Sequence, residues 1–183
     1  MMDVRFSGFG PVKDGVLIVG ATEGGKLMAQ AAAADKASGG AVAAAAKRNR
    51  FTGAKGQIVD VAGAAGGRVV LVGLGKAEAI DPLVGEAVGG AVIARFLTCG
   101  EAKLVFALDV SAEIAGHVAL AAVLRGYRFD KYRTKLKDDQ KPAVKTIEVQ
   151  TGYPAAARKQ WKAHEAAIAG VTFTRDLVTE PAN

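Results

Sequence analysis

Arg68-Val69-Val70-Leu71-Val72-Gly73 and Lys103-Leu104-Val105-Phe106-Ala107-Leu108 are the two stretches on which the fold turns. Both run apolar without the polar–apolar alternation of a strand that has one wet face. Short, unbroken apolar runs of this kind read as central strands buried on both faces. Around them, shorter β-rich runs at Val4–Phe9, Val16–Val19, Gln57–Val61 and Thr146–Gln150 alternate with Ala-rich helical windows. Helices are expected over Lys26–Ala34 and Ser38–Lys47, with Gly39-Gly40 weakening the join. Asp81-Pro82 opens a further helix, Asp as cap and Pro at the first helical position, where its missing N–H costs nothing. It runs to about Thr98. Ser111 caps the next, and Pro154 begins a last one through Trp161, Ile168 and Val171. Elements in this order predict an α/β domain in three layers, with helices on both faces of a mixed sheet of about six strands. The mixed character is expected from two antiparallel pairs, an opening hairpin and the Gln57–Val72 pair turning at Gly63-Ala64-Ala65-Gly66-Gly67.

Length and composition narrow the function classes. The 183 residues suit one ordinary domain or barely two. A single Cys excludes an internal disulfide framework and a multi-cysteine zinc site, and suits a reducing compartment. The longest apolar stretches are Ala-rich or broken by Gly and charge, short of the ~20 residues that cross a bilayer. Met1-Met2-Asp3-Val4-Arg5-Phe6 offers no secretory h-region. The expectation is a cytoplasmic protein.

Several local motifs tempt a catalytic reading. Gly20-Ala21-Thr22-Glu23-Gly24-Gly25-Lys26 has the spacing of a phosphate-binding loop. Leu27 stands where such a loop needs a Ser or Thr for Mg²⁺, and Glu23 would place a carboxylate inside the anion cradle, so a plain turn is expected. Gly73-Leu74-Gly75-Lys76 lacks the third glycine of a dinucleotide fingerprint, Glu78 standing in its place. A sharp turn with close backbone packing is the reading there. His117 and His164 lie outside any metal-binding pattern. Cys99 at a helix end reads as an inert thiol. Asp138-Asp139 are adjacent, and neighbouring residues on a strand point to opposite faces, so they do not read as a catalytic pair.

The charge distribution says more. Eight bases lie between Arg125 and Lys145 against three carboxylates, which places five of the chain's net +6 charges there. Arg125, Arg128, Lys131, Arg133, Lys135 and Lys137 are the candidate anion or DNA contacts, with Tyr127, Phe129 and Tyr132 interleaved. A solvated face, or a salt-bridging surface toward another domain, fits the same residues.

Four stretches together resemble the N-terminal domain of the leucyl (cytosol) aminopeptidase family. They are Phe51-Thr52-Gly53-Ala54-Lys55-Gly56, Val69-Val70-Leu71-Val72-Gly73-Leu74-Gly75, Gly126-Tyr127-Arg128-Phe129-Asp130-Lys131-Tyr132, and Thr174-Arg175-Asp176-Leu177-Val178-Thr179-Glu180-Pro181-Ala182-Asn183. The resemblance covers essentially the whole chain. It implies a macro-like fold for residues 1–170 and, over residues 171–183, the start of the junction to a catalytic domain. It implies domain-junction roles for Arg175, Asp176 and Asn183, and turn roles for Gly73 and Gly75. Its other implications concern the parent protein: a hexamer that removes N-terminal residues from peptides with two divalent ions, manganese or zinc, held in the C-terminal domain. The family's Asn-Thr-Asp-Ala-Glu-Gly-Arg motif does not occur in this sequence. No catalytic or metal-binding residue is therefore expected in this segment, whose role would be assembly and active-site access. The alternative is a DNA- or anion-binding module acting through residues 125–145, since DNA binding is attributed to some bacterial members. An ADP-ribose pocket would rest on fold resemblance alone.

Overall fold

A computed structural model describes residues 2–62 and 67–181. The strands are β1 (Asp3–Ser7), β2 (Val16–Thr22), β3 (Lys26–Leu27), β4 (Ile58–Ala62), β5 (Arg68–Gly73), β6 (Lys103–Ala107) and β7 (Thr146–Gln150). The helices are α1 (Ala29–Ala37), α2 (Ala41–Arg48), α3 (Pro82–Phe96), α4 (Ala112–Gly126) and α5 (Pro154–Thr179). One sheet runs in the order β1-β7-β6-β2-β5-β4, with the two-residue β3 on the end of β2. It is mixed, as the sequence predicts. β4 on β5 and β3 on β2 are antiparallel, and every other pairing is parallel.

Alternation along the central strands distributes their side chains between two cores. Ile18, Val70, Val72, Leu104 and Phe106 face α3, α4 and α5. Val19, Ala21, Val69, Leu71 and Ala107 face α1 and α2. Small residues let α1 and α2 lie close: Ala31, Ala34, Ala45 and Ala46 make most of their buried face. On the other side Gly85 and Gly89 of α3 seat directly on the backbone of α4, where a Cβ at Gly85 would come within 2.9 Å of the Ile114 carbonyl oxygen. The two predicted caps form. Asp81 accepts from the Val84 N–H at 2.8 Å, and Ser111 from the Ile114 N–H at 3.3 Å.

Two local expectations change. The opening strands do not make a hairpin. β2 is the middle of the sheet, and both its edges are taken by the parallel strands β5 and β6. β1 goes instead to the far edge, parallel to β7. There Asp3 and Ser7 bond inward, so Val4 and Phe6 turn their backbone groups outward; Arg158 of α5 covers the Phe6 carbonyl with a 2.8 Å hydrogen bond. The Lys26–Ala34 helix begins only at Ala29, because Lys26–Leu27 pair with Ala21–Thr22. Asp109 supplies the cap that Met28 lacks, accepting from the Gln30 N–H at 3.0 Å. α5 passes through Trp161, Ile168 and Val171 as expected and ends at Thr179. The turn expected at residues 63–67 lies mostly outside the described residues.

The glycine turns interlock at the carboxyl end of the parallel strands. The Gly73 N–H donates to Gln57, that of Gly75 to Gly53, that of Glu23 to Gly75, and that of Gly25 to Thr52. The stretch resembling a phosphate loop thus turns two of its N–H groups onto protein carbonyls. Gly53 has φ +78°, and a Cβ there would land on the Thr22 carbonyl. Gly39 has a similar φ of +62° but opens onto free space. Gly39→Ala is therefore expected to cost only the left-handed strain, about 1–2 kcal/mol. Gly53→Ala adds a backbone collision and should cost about 3 kcal/mol or more. Urea midpoints of the two variants check this; equal losses would contradict it.

Candidate functional site

Sequence directs attention to the basic loop and to the end of the chain, and the structure joins them. α4 ends at Gly126, whose missing Cβ makes room for the Met2 side chain. Tyr127 leaves the helix with extended backbone, and the loop folds back along the C-terminal half of α5. Four hydrogen bonds and one cation–π contact then clamp the loop and the end of α4 to residues 175–180. The Tyr127 hydroxyl donates to Asp176 Oδ1 at 2.5 Å. Arg175 Nη1 donates to the Leu124 carbonyl at 3.0 Å, and its guanidinium lies 5.4 Å from the Tyr127 ring centre. Lys131 Nζ reaches Glu180 Oε1 at 2.8 Å, and the Tyr132 hydroxyl donates to that same oxygen.

The six basic candidates differ in their partners. Lys131 is paired with Glu180. Arg128 is paired with Asp130 at 3.3 Å and donates to the Gln140 carbonyl at 3.0 Å, while Arg133 lies 4.0 Å from Asp130. Arg125 borders a shallow groove beside Arg175 and Tyr127. Lys135 and Lys137 are exposed. Asp138 pairs with Lys141 rather than acting with Asp139. Of the junction candidates, Arg175 and Asp176 are both in the clamp, and Asn183 lies outside the described residues. Tyr127, Tyr132 and Glu180 were missed as site residues. The signal was available, since all three fall inside the two stretches most specific to the family.

Beneath the clamp lies an open cleft of about 680 Å³, bordered by Met2, Gly126, Arg128, Asp130, Lys145 and Asp176. Its charges are of both signs. Among the described residues no group of three or more His, Cys, Asp or Glu is placed to hold a metal ion.

The outer surface of α5 is unusual for a helix at an edge. Val171 and Val178, seven residues apart, lie on one flank, and Phe173 and Leu177 on the other. Thr172, Arg175 and Asp176 lie between the flanks and face the domain. Phe173, Leu177 and Val178 are 64%, 62% and 81% exposed. Both flanks of this part of α5 thus carry apolar side chains open to water.

The architecture and the clamp define a three-layer α/β domain whose last helix is docked by its own basic loop. Residues 18–136 match the family model described as the N-terminal domain of the cytosol aminopeptidase family, and the chain belongs to that family. Among its relatives, the probable cytosol aminopeptidase of Caulobacter vibrioides is 41% identical over 170 residues, covering 91% of this chain and 34% of that protein. That of Rhizobium etli (strain CIAT 652) is 33% identical over 189 residues, covering 99% and 38%. Among solved structures, a mutant tomato leucine aminopeptidase superposes with a TM-score of 0.80 at 27% identity, covering all of this chain and 39% of that one. The bottromycin maturation enzyme BotP in complex with Mn gives 0.65 at 27% identity, covering 92% and 32%. The chain spans little more than a third of the length of the curated relatives it matches.

The clamp has a pH signature. Its hydrogen bonds to Lys131 and Tyr132 hold the Glu180 carboxyl below the usual carboxylate range. Glu180 therefore supports the docked helix end fully above its ordinary value, and that support fades as pH falls through the depressed one. Hydrogen bonding to Glu180 correspondingly raises Lys131, and hydrogen bonding to Asp176 raises Tyr127. In an absorbance titration at alkaline pH, Tyr127 should ionise above its ordinary value of 10.0. Asp176→Asn should return it toward that value. An unchanged titration in the variant would show that the Tyr127–Asp176 bond does not form in solution.

Proposed function

We propose that this chain is the non-catalytic N-terminal domain of a metal-dependent aminopeptidase that removes N-terminal residues from peptides. The observation that carries the reading is one of proportion. Relatives named cytosol aminopeptidase match this chain over nearly all of its length, yet over only about a third of their own. Hydrolysis with two bound ions, manganese or zinc, belongs in this reading to the part of the protein beyond the matched third. The manganese named with BotP supports a metal for that chemistry.

The domain's own task is then positional. Residues 171–183 act as the junction, with Arg175 and Asp176 fixing the direction in which α5 leaves the domain and Asn183 leading onward. The two apolar flanks of α5 are the surface on which the catalytic body seats. Assembly into a hexamer, control of access to the active sites, and a cytoplasmic location complete the reading. No helix among the described residues is long and apolar enough to cross a membrane. The nucleic-acid alternative draws no support from the geometry, in which Arg128, Lys131 and Arg133 are engaged by carboxylates of the same chain.

Purified as 183 residues, the protein should not hydrolyse a leucine anilide even with added Mn²⁺, whereas the chain extended by the remainder its relatives carry should. Metal-dependent turnover by the 183-residue chain would overturn the proposal. Replacing Phe173 and Leu177 with Ser should change the stability of the 183-residue chain by no more than about 0.5 kcal/mol for each substitution, as for exposed side chains without partners. The same change should impair activity of the extended chain; full activity there would remove the seating role.

A further inference from the structure

The two histidines of the chain meet in the seam between α3, α4 and α5. His117 of α4 holds its Nδ1 2.8 Å from Glu86 Oε1 of α3, so the Nδ1–H donates to the carboxylate. His164 of α5 sets its ring edge-on to that of His117, with centroids 4.9 Å apart and planes at 74°. Gly116 eases the approach: a Cβ there would lie 3.3 Å from His164 Nε2, a tight contact. Trp161, one turn earlier on α5 and buried, has its ring centre 6.1 Å from that of His164.

One carboxylate thus stands beside the pair, in contact with His117 alone. Glu86 neutralises one imidazolium, and a second would face its neighbour across the seam with no counter-charge in contact. The surroundings offer little else. Glu113 on α4, and Lys162 and Glu165 on α5, are exposed. β1 and β7, which lie beneath these helices, present Val4, Phe6, Ile147 and Val149 to them. Asp3, Arg5 and Glu148 alternate with those residues and so point to the opposite face of the sheet.

We propose that Glu86, His117 and His164 form a proton-operated latch on α5, closed while the pair carries at most one proton charge and opened by the second. The proposal stands on this geometry and is independent of the aminopeptidase reading. Burial, and then the neighbouring His117, hold His164 below the ordinary imidazole range, while Glu86 opposes them. The sign follows. The detached helix takes up a proton that the seated one resists, so seating is complete above the ordinary value of 6.5 and weakens as pH falls below it.

Trp161 is the chain's single tryptophan, which gives the test a site-specific reporter. As pH falls from about 7.5 to about 5, its emission should shift to longer wavelength and become quenchable by acrylamide. His164→Gln should abolish that change, and Glu86→Gln, which leaves even the first charge uncompensated, should move it to higher pH. The proposal is overturned if Trp161 stays shielded throughout, or if the transition persists unaltered in the His164 variant. Should that variant fail to fold, the Cε1 proton resonances of the unmodified chain decide the matter. A His164 midpoint below 6.5 that coincides with the Trp161 transition supports the latch, and one at or above 6.5 overturns it.

Discussion

The structure depends on a sheet whose middle strands are apolar on both faces. β2 carries Val16, Ile18, Val19 and Ala21 at no exposure at all, and β5 and β6 are buried almost as completely. Each such Val, Ile, Leu or Phe contributes roughly 1.5–3 kcal/mol when removed from water, far more than an exposed ion pair at ~0–1 kcal/mol. A sheet of this kind is stable only when covered twice. That requirement brings α1 and α2 to one side and α3, α4 and α5 to the other. It also explains why β2, rather than β1, takes the centre.

Close covering needs small residues, and the chain's abundance of Ala and Gly serves that need. Alanines bring α1 and α2 near the sheet; Gly85 and Gly89 bring α3 against α4; Gly116 admits His164 of α5. The third case differs from the others. α4 and α5 meet partly through polar and titratable groups, and beyond Ile168 the helix is held by the Tyr127, Lys131 and Tyr132 side chains of the loop rather than by core. α5 is therefore firmly seated at Trp161 and Ile168, and held by hydrogen bonds beyond them.

Much of this was legible from pattern. The unbroken apolar runs at Val69–Val72 and Leu104–Ala107 identify doubly covered strands, and Asp81-Pro82 and Ser111 mark helix starts that the structure keeps. The order of strands was not legible, because periodicity reports which faces are buried and not which strand lies beside which. Proximity in sequence suggested a hairpin for β1 and β2, and the competition of β5 and β6 for both edges of β2 prevails. At the site, the basic residues were visible as a run of charge, but their partners were not. Glu180 lies about fifty positions from Lys131, and only the return of α5 past the loop brings them together. Composition shows the run of charge, and the fold supplies the carboxylates that pair with Arg128, Lys131 and Arg133.

The central claim is that α5 is docked on one side by the clamp and offers both flanks to a further body. Hydrogen exchange measured on the 183-residue chain, and on the chain extended by the remainder that its relatives carry, tests it directly. The account predicts that added protection concentrates in the α5 backbone from Val171 to Thr179, while the central strands are unchanged. Equal exchange of that segment in both proteins, with the new protection elsewhere on the domain, would contradict it.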